Sequence, residues 1–224
     1  MKALCITGAE AGTLQAVAKP FYEAGMAEPK SIVREKEINF SVWHRHTIER
    51  AKLNQPLGAL WESLALDLLI ANLDSPCWGW TEENSVYSLD FWADIDPSIH
   101  FILVCTRPED SVEQALQEDQ FTEVQECVNQ WYHKHRALLD FYLEYPDRCL
   151  LLDAMDARKH LTRQFQLAQD NWKLPLNKQI LDIASEQEHP SPDEETSSEA
   201  FRFAALEAIR CAQADIRNFY LELR

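Results

Sequence analysis

Positive charge is what this sequence lacks most. Lysine and arginine number 21 against 37 aspartates and glutamates, which leaves a net charge of −16. A field of that sign repels nucleic acid and anionic membranes, whose binding rests on Lys and Arg contacts to phosphate. No nucleic-acid or membrane partner is therefore expected. The same field slows capture of an anionic cofactor unless its pocket is locally basic. Long apolar runs are missing too, and none approaches the ~20 residues needed to cross a bilayer. The opening "MKALCITG" enters a strand pattern at once, without the charged and then apolar order of a secretory leader. The expected location is cytoplasmic.

Paired cysteines are also absent. The six are Cys5, Cys77, Cys105, Cys127, Cys149 and Cys211, and no two stand as C-x-x-C. Zinc and redox motifs have no support, and no metal is expected. Cys5, Cys105 and Cys149 lie in apolar runs, where cysteine acts as a small buried hydrophobe.

What is present is an ordinary globular composition, 46% hydrophobic and 26% charged over 224 residues. That length suits one domain with a sizeable core. Ala3–Thr7, His100–Cys105 and Cys149–Leu152 are apolar without alternation and end at polar or turn residues, the pattern of buried parallel strands. Cys77–Trp80, "CWGW", is a fourth. Helical periods separate them. Thr13–Ala24 stops at Gly25, Gly58–Leu73 is apolar around much of its circumference and reads as a core helix, and Glu109–Gln117 follows Pro108. Thr122–Glu144 puts Val124, Val128, Trp131, His135, Leu138 and Tyr142 on one stripe.

Strands alternating with helices predict an α/β fold, three layers deep, with a central parallel sheet flanked by helices. The expected divisions are an α/β domain at 1–184, an acidic Ser/Pro-rich linker at 185–199 and an amphipathic C-terminal helix at 200–224. The last carries Phe201, Ala205, Ala208, Ala212, Ile216, Phe219 and Leu223 on one stripe, which packs on its own core or pairs two copies as a homodimer.

The first strand runs into "GAEAGT", Gly8–Thr13, and then a helix. A strand, a glycine turn and a helix start aim N–H groups at one point, and that geometry holds anions. Three residues separate Gly8 from Gly12, too few for a Walker A loop. A tight βα turn with no ligand is the plain alternative.

Four segments in order resemble the sulfotransferase family, over roughly Met1–Leu174. "ITGAEAGTLQAVAKPFYEAGM" resembles its opening strand, G-x-x-[RK]-S-G-T loop and helix. "EINFSVWHRHTIERAKLNQPLGALW" resembles the following helix with its "LN" and "LG" pairs. "WGWTEENSVYSLDFWADIDPSIHFILVCTRPEDSVEQAL" resembles the second core strand, the "LDFW" helix, and the strand with its R-x-P helix. "WYHKHRALLDFYLEYPDRCLLLDAMD" resembles the helix and strand after that.

The resemblance implies a P-loop-like fold and transfer of a sulfuryl group from 3′-phosphoadenosine 5′-phosphosulfate (PAPS) to a small-molecule or glycan acceptor. Gly8, Gly12 and Thr13 match the loop that holds the 5′-phosphosulfate. Its basic position falls on Glu10 and its serine position on Ala11. The K-x-P-R-like run after the second strand is Thr81, Glu82, Glu83 and Asn84. At the 3′-phosphate site Thr106 takes the arginine position with Arg107 beside it; the serine falls near Gln114, and Ser111 comes too early. A family glutamate near the acceptor corresponds to Trp43 or His44. The backbone pattern persists while the charge pattern does not.

Candidate donor contacts are thus Gly8, Gly12, Thr13, Thr106 and Arg107. Glu10 and His44 are the candidate catalytic groups, His44 because imidazole suits a general base. His133 and His135 stand two apart in a helical pattern, so they face different ways and make a poor metal pair. Three functions stay open. One is a PAPS-dependent sulfotransferase. Another is a non-catalytic binding or scaffold protein that kept the fold and binds no PAPS, so that no cofactor is used. The third is an enzyme using Glu10, Glu82 and Glu83 on a cationic substrate.

Overall fold

The computed structural model describes residues 1–33, 36–52, 56–110 and 124–177. The described residues fall into two compact units, one of 1–105 with 140–177 and one of 106–139. The acidic segment, the C-terminal stripe, Ser111, Gln114 and most of the expected helix Glu109–Gln117 lie outside the described residues.

The first unit is built on a four-stranded parallel sheet. Its strands are β1 (Lys2–Thr7), β4 (Cys77–Thr81), β5 (Ile99–Cys105) and β6 (Cys149–Asp153), in the order β4–β1–β5–β6. All four match the expected runs to within a residue or so. Register pairs Cys5 with Trp80 on one side and with Phe101 on the other. Apolar residues occur on both strand faces because both faces are covered. Two short strands, β2 (Ile32–Val33) and β3 (Glu37–Ile38), form a separate antiparallel pair.

The helices are α1 (Ala11–Glu23), α2 (Phe40–Lys52), α3 (Ala59–Ile70), α4 (Leu89–Ile95), α5 (Val124–Glu144), α6 (Ala154–Lys159) and α7 (Leu161–Trp172). One core cluster joins Leu4 and Ile6 of β1, Leu14, Val17 and Phe21 of α1, and Phe165 and Trp172 of α7. Each large side chain fully buried in this way contributes roughly 1.5–3 kcal/mol. A second, aromatic cluster holds Phe40, Trp43, Trp78, Trp80 and Trp92, with Phe40 and Trp80 stacked at 4.5 Å. Arg148 ties the turn between α4 and β5 to the start of β6, donating to the carbonyls of Ala93, Asp96 and Ile99 at 2.9–3.0 Å.

One helix departs from expectation. α3 buries Leu64, Ala65, Leu68 and Leu69, but Leu60 and Ile70 are 61% and 60% exposed. Its apolar composition shows that it tolerates burial; only one side meets the core.

Candidate functional site

Strand order reverses across β1 and β5, and open α/β sheets hold ligands beyond the carboxyl ends of the strands at such a point. The turn Gly8–Ala9–Glu10 leaves β1 there and enters α1. Gly8 has φ 112°, a left-handed conformation that a side chain would strain. Glu10 is the extended N-cap residue, and its carbonyl accepts from the Leu14 N–H at 3.0 Å. A helix start carries partial positive charge and N–H groups without intrahelical partners, which suits an anion.

The chain supplies its own anion at that end of α1. Glu10 makes no side-chain cap to the backbone; its Oε1 accepts the hydroxyl hydrogen of Thr13, a residue 1% exposed. Two of the predicted residues are thus joined, and one occupies the other. Gly12 is exposed, and a Cβ built on it meets nothing within 4 Å. Packing does not require glycine there.

The segment after β4 closes over the end of β1. Thr7 Oγ1 donates to the Glu82 carbonyl at 2.7 Å, and the Glu82 N–H donates to Ile6 at 3.2 Å. The Glu82 carboxylate caps the 3₁₀ turn Glu83–Ser88, accepting from the Asn84 N–H at 3.3 Å and the Asn84 amide at 3.0 Å. Glu82 therefore has a structural task, while Glu83 is exposed.

His44 lies in the aromatic cluster, 1% exposed. Trp92 Nε1 can only donate, so His44 Nε2, 2.9 Å away, is an acceptor. The proton then sits on Nδ1 and goes to the Phe40 carbonyl at 2.7 Å. Ser85 Oγ also donates to Nε2, at 2.9 Å, and accepts from Trp80 Nε1 at 3.1 Å. Burial, opposed by the Phe40 bond, pushes the imidazole down to about 4. With both nitrogens engaged inside the core, His44 is placed to hold the aromatic cluster together. His46, on another side of α2, stacks on Trp61 at 3.8 Å.

Thr106 and Arg107 belong to the second unit. There the Thr106 N–H donates to His135 Nε2 at 2.8 Å and its carbonyl accepts from Trp131 Nε1 at 2.8 Å. His135 Nδ1 donates to the Trp131 carbonyl at 2.8 Å, and burial lowers this imidazole to about 4 as well. Arg107 forks onto Asp110, at 3.0 Å from Nε and 2.6 Å from Nη2. The charge proposed for a 3′-phosphate is thus balanced within the chain.

A cleft of about 770 Å³ opens beside α1, a volume that suits a small molecule. It is lined by Gly12, Ala16, Lys19, Tyr22 and Glu23 of α1 together with Glu28, Asn39, Ser41 and the largely buried Phe40 and Trp80. Sequence reasoning did not single out Glu28, Tyr22 or Asn39. Gln15, Lys19 and Glu23 recur every fourth residue on α1, a polar stripe that the period could have revealed. Asn39 is the N-cap of α2, with its Oδ1 accepting from the Val42 N–H at 2.9 Å. Tyr22 donates to the Gly79 carbonyl at 3.3 Å; burial and the nearby Glu28 charge push its phenol up to about 12. Among the described residues no group of three or more His, Cys, Asp or Glu side chains could hold a metal ion. Among them, too, no helix is long and apolar enough to cross a membrane.

The fold is similar to that of solved sulfotransferase structures. The chain is similar in structure to the sulfotransferase domain from the curacin biosynthetic pathway, with a TM-score of 0.52 and 14% identity over 80% of this chain and 76% of that one. It is similar also to the sulfotransferase from Alicyclobacillus acidocaldarius, with a TM-score of 0.52 and 8% identity over 97% and 99% of the two chains. No protein-family model matches the chain, and no curated protein matches it in sequence. At these identities the likeness establishes the fold: this is a divergent, sulfotransferase-like α/β protein.

Proposed function

We propose that this chain is a binding protein on the sulfotransferase fold in which the donor loop no longer takes PAPS. The observation that carries the reading is the Glu10–Thr13 contact. A carboxylate at the start of α1 meets the partial positive charge that a phosphosulfate would otherwise use, and it engages the threonine hydroxyl. An incoming anion would have to displace it and tolerate its charge. Three family cation positions fall on Glu10, the Thr81–Asn84 run and Thr106. Charge-assisted hydrogen bonds are worth about 1.5–3 kcal/mol each. Without three of them, most of the roughly 8 kcal/mol of a micromolar affinity is gone.

A second reading is PAPS-dependent sulfuryl transfer to a small-molecule or glycan acceptor. It is favoured by the retained strand–glycine–helix turn and by the open space beside Gly12. Thermal unfolding with 3′-phosphoadenosine 5′-phosphate (PAP) separates the two. A ligand at a thousand times its Kd stabilises by about 4.1 kcal/mol, which moves the Tm of a chain this size by roughly 10 °C. The binding-protein reading expects no shift at millimolar PAP; a shift of that size overturns it and favours the second reading.

A further inference from the structure

We infer that the cleft beside α1 binds a small hydroxylated organic cation. This deepens the binding-protein reading by naming a ligand class, and its walls supply the argument. The ionised side chains lining the cleft are Lys19, Glu23 and Glu28. Lys19 faces Glu23 at 3.8 Å across one turn of α1, so these two charges offset each other. Glu28 is left as the uncompensated carboxylate, with no hydrogen bond or ion pair among the described residues. Glu28 and Tyr22 line the same cleft. A carboxylate beside an aromatic ring is a receptor for an ammonium group.

Much of the other lining is small or polar. Ala16 and Gly12 put no large side chain on their part of the α1 wall. Gln15, Asn39, Ser41 and Thr81 place amide and hydroxyl groups around the same space. Such groups suit a ligand with several hydroxyls. Phe40 and Trp80, which also line the cleft, are held by the His44–Ser85 relay, so this part of the lining is preformed. The recognised molecule therefore carries one positive charge and several hydroxyls.

Three open-chain polyols of matched size test this: glucamine (cationic), sorbitol (neutral) and gluconate (anionic), each titrated calorimetrically into the full chain at neutral pH. Glucamine is expected to bind roughly tenfold or more tightly than sorbitol, the difference one charge-assisted hydrogen bond makes, with gluconate weakest. Glu28→Gln should abolish the preference for glucamine and leave sorbitol unchanged. Glu62→Gln, an exposed carboxylate on α3, should leave all three unchanged. Equal affinities in the wild type, or a preference that survives Glu28→Gln, overturns the proposal. PAP titration is scored separately, so failure here is distinguishable from failure of the donor-loop reading.

Discussion

Thr13 gives its hydroxyl hydrogen to the carboxylate of Glu10, three residues before it. Both residues stand at positions that a phosphosulfate loop would use, and the contact turns them toward each other. In the proposed reading, this contact is what keeps a donor anion out of a loop that has the glycines and the backbone turn.

The glycines separate structural from functional need. A Cβ on Gly79 would lie 2.7 Å from the Leu4 carbonyl oxygen and 2.8 Å from Met26 Sδ, inside the sheet. Gly79→Ala is expected to cost about 1–3 kcal/mol through overpacking. Gly12→Ala meets open space in the first turn of α1, so its stability should match the wild type or exceed it by about 0.5–1 kcal/mol. Urea unfolding followed by tryptophan fluorescence checks both, and equal costs at the two sites would contradict the packing argument.

His44 is expected to matter for stability. His44→Leu keeps much of the volume but leaves Ser85 Oγ and Trp92 Nε1 without their shared acceptor and removes the side-chain donor from the Phe40 carbonyl. The expected loss is roughly 2–5 kcal/mol. A variant as stable as the wild type would remove His44 from the network.

The two buried histidines of the first unit also set a pH dependence. His44 and His100 are held down to about 4, chiefly by burial. The unfolded chain protonates them near 6.5. As the pH falls from about 6.5 towards 4, the unfolded state takes up protons that the folded state refuses. Stability is therefore fully present above 6.5 and falls by about 1.4 kcal/mol per pH unit for each histidine on the way down. Below 4 their contribution levels off. The urea midpoint measured between pH 7.5 and 4.5 should show this decline; a flat profile would contradict it.

Arg148 reaches three carbonyls with one planar fork, and an ammonium cannot do so. Arg148→Lys should cost about 1–3 kcal/mol, as buried acceptors lose their donors. Thermal unfolding measures the loss, and an unchanged Tm would refute the assignment.

The sheet was legible because all four of its strands are short apolar runs covered on both faces, and that pattern needs no tertiary information. β2 and β3 were not, since two residues cannot show a period. α2 was harder than α1. It sets a buried histidine beside a buried tryptophan, and imidazole reads as polar until its partners are known. The same gap hid the part played by His44: Ser85 and Trp92 lie 41 and 48 residues away in sequence. Glu10 stood out in the sequence as a charge in the wrong slot. Its bond to Thr13 depends on the turn at Gly8, which only the folded loop defines. The cleft needed β4, α1 and the start of α2 to be placed side by side.

The donor loop is tested most directly by calorimetric titration of PAP into the wild type and Glu10→Lys in parallel. The account predicts no saturable heat for the wild type at millimolar PAP. Glu10→Lys, which removes the carboxylate from the Thr13 hydroxyl and places a cation at the start of α1, should show measurable binding. Micromolar binding by the wild type, with Glu10 in place, would contradict it.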